Sequence, residues 1–238
     1  SKKWKNVFSN EKMTADNMWT LIMAEPADGK ERPLNMVLAE EPRNLNPFVA
    51  SSAYSWQILG LIYESLIGTD PFTLDDMPSL AESWSVETVT NDGKEHTRLT
   101  FRLRKGLKWS DGSPLTAGDV KATLDFLKKN SIPRFFDSVK NISSVRVTDS
   151  TQLTVDMDGT SYWYLDNIGG LPCMPAKVLQ KVNDWQNWNP IDPKGKFGPY
   201  GLVGAGPFML DEYRPGEFVM MKRNNHYRML EKKNVRTK

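Results

Sequence analysis

The junction at Lys108–Val120 constrains the fold of this chain more than any other stretch, because it must end one regular element and start another within a single turn. Upstream, Leu99, Phe101 and Leu103 alternate with Thr100, Arg102 and Arg104, the period of a strand with one buried face. Asp111-Gly112 with Pro114 then supplies a tight turn. Thr116 suits a helix N-cap, and Asp119 can answer it as a short capping box while placing negative charge at the positive helix end. Val120, Leu124 and Leu127 recur on one helical face, and Pro133 bars continuation. These signals agree without any ligand, so the stretch reads as scaffold.

The flanking segments follow in order. Residues 1–33 carry Trp4, Phe8, Met18, Trp19, Leu21 and Ile22 at loosely helical spacing and read as an extension packed on the domain. Leu34–Ala39 suits a buried strand, ended by Pro42 and Pro47. From Tyr54 to Leu66, Ile58, Leu59, Ile62 and Leu66 mark one face of a helix that Gly68–Pro71 stops. Trp84, Val86 and Thr88 alternate before the turn chemistry of Asn91-Asp92-Gly93-Lys94, which predicts a hairpin with the Leu99–Leu103 strand. A second hairpin is expected at Val145–Met157, with Val145 and Val147 facing Leu153 and Val155. Residues 161–188 look helical in pieces, residues 189–207 hold too many glycines and prolines for regular structure, and Phe208–Lys222 forms a last hairpin across Arg214-Pro215-Gly216-Glu217. A loop as long as 189–207 inside a compact domain is often functional.

Composition mainly excludes. With 31 basic against 29 acidic residues among 238, the formal charge is +2, which leaves no nucleic-acid footprint. A single cysteine, Cys173, rules out an internal disulfide, and its flanks Leu171-Pro172 and Met174-Pro175 point to a buried, inert thiol. No apolar run reaches the ~18–20 residues of a membrane span. The N-terminus lacks a signal-peptide pattern, so the protein is either cytoplasmic or has had its export signal removed. The C-terminal Arg228–Lys238 carries no closing strand or helix cap.

The search for catalytic chemistry is empty. His96 and His226 have no partner at metal-ligand spacing and read as surface or structural groups. Nucleophile-elbow, HExxH and Walker patterns are absent, and Gly204-Ala205-Gly206-Pro207 leads into a strand where phosphate binding would need a helix N-terminus. Neighbouring acids such as Glu40-Glu41 and Asp75-Asp76 point to opposite sides of an extended chain. What stands out is aromatic content in expected loops: Tyr54, Trp56, Phe135-Phe136, Tyr162-Trp163-Tyr164, Trp185 and Trp188. Such groups either pack beneath their loops or line an apolar pocket.

The Lys108–Val120 stretch resembles a signature of the extracellular solute-binding proteins of the oligopeptide, dipeptide and nickel class (family 5), receptors of ABC importers. Other landmarks match in order over residues 34–228: Asn46-Pro47, Tyr63-Glu64-Ser65-Leu66, Leu80-Ala81-Glu82-Ser83-Trp84, Leu171-Pro172-Cys173-Met174-Pro175, Gly204-Ala205-Gly206-Pro207-Phe208 and Arg223-Asn224-Asn225-His226-Tyr227. Arg228 departs from the pattern, standing where the family usually has Trp.

The resemblance implies an α/β fold, a lobe like that of type II periplasmic binding proteins, with a mixed sheet, flanking helices and an inserted smaller β-rich subdomain. Residues 34–66 and 175–228 would form the main sheet of the first lobe, 67–174 the inserted subdomain, and 229–238 the start of a crossover to a missing second lobe. It further implies binding by hinge closure with no covalent chemistry, while the residues themselves offer no cofactor or metal site. By position, Ser51, Ser52, Ala53 and Tyr54 resemble the segment whose backbone meets the ligand. Phe135 and Phe136 correspond to an aromatic loop facing the cleft, and Asn167, Gly169, Gly170 and Leu171 lie beside it. The expected partners are an oligopeptide, a membrane ABC permease and the chain's own second lobe, in an extracellular or periplasmic setting with a lipidated N-terminal anchor. An oligosaccharide is the rival ligand. A hydrolase would need a nucleophile or metal cluster that the sequence lacks, and a partner-docking module is the remaining alternative.

Overall fold

The computed structural model describes residues 41–228 apart from 43, 71, 192–200 and 215–216. The expected extension at 1–33, the strand at Leu34–Ala39 and the crossover at 229–238 lie outside the described residues, as does much of the 189–207 loop. Contacts divide the chain into two units, Ser1–Val37 with Thr69–Met77, and Leu38–Gly68 with Pro78–Lys238. In the first unit Asp70 Oδ1 accepts the amides of Phe72 and Thr73, at 2.8 and 3.1 Å.

In chain order the elements are α1 (Ala53–Ile62), β1 (Ile67–Thr69), β2 (Asp76–Pro78), β3 (Ala81–Asn91), β4 (Lys94–Leu103), α2 (Ala117–Lys129), α3 (Pro133–Val139), β5 (Ile142–Val147), β6 (Gln152–Met157), α4 (Tyr164–Gly169), α5 (Ala176–Leu179), β7 (Phe208–Arg214) and β8 (Phe218–Arg223). Both expected hairpins join in one antiparallel sheet of order β3-β4-β6-β5. Val145 pairs with Val155 and Val147 with Leu153, the expected register. The two central strands alternate as the sequence requires: Leu99, Phe101, Leu103, Leu153, Val155 and Met157 are buried, while Thr100, Arg102, Thr154 and Asp156 occupy the other face. Burying each of these apolar side chains contributes roughly 1.5–3 kcal/mol. Helix α2 packs on β5 and β6 with Val120, Leu124 and Leu127 inward.

The edge strands behave differently. Val86 pairs with Leu99 and shares its face, yet is 52% exposed, and Trp84 is half-buried. Alternation correctly assigns the face, but burial depends on how far the cover reaches, and on β3 it falls short.

The junction folds as expected. Asp119 Oδ2 accepts the backbone N–H of Thr116 at 2.8 Å and its hydroxyl at 3.2 Å, which is the acidic arm of the capping box. Its Oδ1 accepts from Ala176 N at 2.9 Å, so one carboxylate caps α2 and fixes the start of α5. Trp109 is buried within the core. Ser110 N donates to Gly204 O at 2.8 Å, which draws the turn against the glycine-rich return of the chain.

Two expectations are corrected. Helix α1 ends at Ile62 instead of continuing to Leu66, because Tyr63 is extended and the Ile62 carbonyl accepts the N–H of Gly206 at 2.8 Å. Phe135 and Phe136 lie on helix α3 and not in a loop, since Pro133 occupies its first turn, where a missing N–H costs nothing.

Candidate functional site

The segment before α1 is fixed by Asn46. Its Oδ1 accepts from Phe48 N at 2.9 Å, and its Nδ2 donates to the carbonyls of Trp185 and Trp188 at 2.8 and 2.9 Å, so this fully buried amide ties residues 44–50 to the 185–188 segment. Beyond it, Ser51 and Ala53 are exposed and Ser52 and Tyr54 half-buried. Ser52 is the N-cap, its hydroxyl accepting from Tyr54 N at 3.2 Å.

One turn into α1, the indole Nε1 of Trp56 donates to Ala50 O at 2.8 Å, folding the ring back beside the Ser51–Ser52 segment. The ring meets Phe135 edge-on with centroids 6.2 Å apart, and the guanidinium carbon of Arg134 lies 4.3 Å from the indole centroid. Trp56 therefore connects the α1 end to α3, and α3 in turn packs on α4. Tyr164 anchors α4, its hydroxyl donating to Asp158 O at 2.7 Å and accepting from Asn141 Nδ2 at 3.2 Å.

Along α4 the helical period separates two faces. Tyr164, Ile168 and Leu171 are buried, whereas Trp163, half-buried Asn167 and exposed Gly170 follow one another on the outer side. At Gly169 a Cβ would press on the Ile67 side chain, 2.7 Å from its Cδ1, so that side chain would have to shift. The three segments expected to meet a ligand thus sit on linked elements. Phe135, Gly169 and Leu171 are buried as packing, Phe136 is half-buried, and Ser51, Ala53 and Gly170 present accessible surface. Trp185 and Trp188 pack partly buried against the core, while Tyr162 and Trp163, 84% and 63% exposed, form an edge-to-face pair 5.3 Å apart.

Other features carry no chemistry toward this arrangement. Among the described residues no group of His, Cys, Asp and Glu could hold a metal ion. An open groove of about 670 Å³ runs beside Phe126, Leu179 and Val182 and includes none of the expected ligand-binding residues. Burial, with the charges of Asp119 and Glu64, pushes the Cys173 thiol up to about 12. Burial also raises the Glu64 carboxyl, against the opposing pull of Arg228 and Tyr227. Arg228 Nε lies 3.3 Å from Glu64 Oε2, with both side chains 11% exposed.

The family model of bacterial extracellular solute-binding proteins, family 5 Middle, matches residues 75–237. The chain belongs to this family. Family 5 members are solute-binding receptors of transport, extracellular or periplasmic in setting. A probable ABC transporter-binding protein of Deinococcus radiodurans is 30% identical over 213 residues, covering 84% of this chain and 33% of the relative. The dipeptide-binding protein DppE of Bacillus subtilis is 29% identical over 215 residues, covering 83% and 36%. The structure of the periplasmic binding protein AgaA from A. tumefaciens R10 with agropinic acid superposes with a TM-score of 0.62 at 26% identity, covering 79% of this chain and 35% of that one. The family 5 chain described here spans about a third of the length of these relatives, and its fold is the α/β fold of type II periplasmic binding proteins. Among the described residues, no helix is long and apolar enough to cross a membrane.

Sequence reasoning missed two parts of the site. Arg134 stands next to Phe135, yet nothing local signals that it would stack on Trp56. Asn46 stands out in the sequence only as part of Asn46-Pro47, since its bonds to Trp185 and Trp188 join segments far apart in the chain.

Proposed function

We propose that this chain forms part of the first lobe of an ABC-importer receptor, which captures oligopeptides in an interlobe cleft by hinge closure and delivers them to a membrane permease. The observation that carries this reading is the linkage of Ser51–Tyr54, Phe135-Phe136 and Asn167–Leu171 through Trp56 and the α3–α4 packing in a family 5 chain. Accessible backbone at Ser51, Ala53 and Gly170 suits an extended peptide, which main-chain groups recognise whatever its side chains. A dipeptide-binding relative supports the same ligand class.

On this reading the protein performs no covalent chemistry. Residues 34–66 and 175–228 build the main part of the lobe, 67–174 form the inserted subdomain, and a second lobe completes the cleft. The receptor works outside the cytoplasmic membrane, held there by a lipidated N-terminus. Isothermal titration of the receptor, completed to the length of its relatives, against a tripeptide mixture and against cello- and manno-oligosaccharides tests the proposal. Heat with the tripeptides is expected. Heat with the sugars alone would overturn the peptide reading in favour of stacking on aromatics such as Tyr162 and Trp163.

A further inference from the structure

Arg134 is held in an arrangement that packing alone leaves unfinished. Its guanidinium carbon lies 4.3 Å from the Trp56 ring centroid and 5.9 Å from that of Phe135. The indole beneath it is itself fixed by the bond from Nε1 to Ala50 O and by its edge contact with Phe135. Other described arginines are committed elsewhere. Arg98 and Arg146 share Asp156, Arg214 meets Glu212, Arg228 meets Glu64, and Arg104 donates to the carbonyls of Ser79 and Pro78. Among the described residues, no carboxylate lies within ion-pair distance of Arg134, whose contacts are the faces of two rings.

Stacking occupies the face of a guanidinium and leaves its N–H donors, which point outward in the plane, unspent. This arginine, one residue ahead of Phe135, lies over the indole of Trp56, whose Nε1 is bonded to Ala50 O in the chain that enters α1. The N-terminal end of that helix also favours negative charge. A planar anion is the group that such a fork accepts with two parallel hydrogen bonds.

We infer that Arg134 is a specificity-determining residue that selects ligands carrying a carboxylate at the α1 end of the site. The inference rests on the receptor reading given above, but not on the ligand being a peptide.

The test uses the receptor completed to the length of its relatives and two pairs of probes, each differing in one charge type: trialanine against trialaninamide, and oligogalacturonate against its methyl ester. Affinities are measured by calorimetry for wild type, Arg134→Gln and Arg134→Lys. In whichever pair binds, wild type is expected to prefer the charged member by about tenfold, the scale of a hydrogen bond to a charged group. Arg134→Gln is expected to abolish that preference by weakening the charged member to the level of the neutral one, and Arg134→Lys to restore part of it. Equal affinities for charged and neutral members in wild type, an undiminished preference in Arg134→Gln, or no binding by either pair would each overturn the inference. Binding of the galacturonate pair alone, with the preference lost in Arg134→Gln, would sustain the role of Arg134 and refute the peptide reading by itself.

Discussion

At Gly206 and Gly60 the same substitution has opposite consequences. A methyl group on Gly206 would collide with the backbone carbonyls of Leu61 and Ile62, neither of which can swing aside as a side chain can, and the Gly206 N–H is bonded to Ile62 O. Gly206→Ala is therefore expected to destabilise the protein by about 3 kcal/mol or more. Gly60 lies within α1 with nothing within 4 Å of the place a methyl group would take, so Gly60→Ala should stabilise by about 0.5–1 kcal/mol. Urea denaturation midpoints distinguish the two, and a Gly206→Ala protein as stable as wild type would refute the close-approach argument. Cys173 gives a second prediction at this scale. A buried thiol with its ionisation pushed up to about 12 presents almost no thiolate at pH 8. It should resist Ellman's reagent in the folded protein and react once guanidinium unfolds the chain; rapid reaction of the native thiol would contradict its burial.

The elements show where local pattern suffices and where distant partners intervene. The β4 and β6 alternation, the turns between hairpin strands and the Thr116–Asp119 cap were legible because each depends on residues within one turn or one strand pair. The end of α1 was not, because the N–H that takes the Ile62 carbonyl belongs to Gly206, and the exposure of Val86 was not, because alternation carries no information on the extent of cover. The expected ligand-binding segments came from resemblance, whereas the Trp56–Arg134 stack that links two of them depends on α1 and α3 meeting in space. Across β4, β5 and β6, Asp156 gathers Arg98 at 2.7 Å, Arg146 at 3.0 Å and Ser144 at 2.9 Å. Burial raises its carboxyl, but these bonds and charges together hold it below the usual range. A depressed folded-state value means stability that is present above the unfolded value of about 3.9 and is lost as pH falls through the lower folded value. Asp156→Asn should cost about 1 kcal/mol at pH 7, modest because both arginines are partly exposed, and the difference from wild type should shrink below about pH 4. Urea unfolding at pH 7 and pH 3 checks this, and a pH-independent difference would exclude the ionic origin.

For the whole molecule, the chain covers a third of the length of its relatives, and the proposed site offers one side of a cleft. The 238-residue chain alone should therefore bind trialanine about a hundredfold or more weakly than the receptor completed to full length, since contacts and closure are both reduced. Equal affinities by calorimetry would show that one side suffices. Glu64 bears on the same scale. Its carbonyl accepts from Cys173 N at 2.9 Å, and its carboxylate holds Tyr227 and Arg228, so two remote stretches of chain share one residue two positions beyond α1. Mechanically this is a rivet: a tug on the backbone past Arg228 is delivered to the root of the helix that bears Trp56, and the ionic half of the fastening, sheltered from solvent, would keep its grip in high salt.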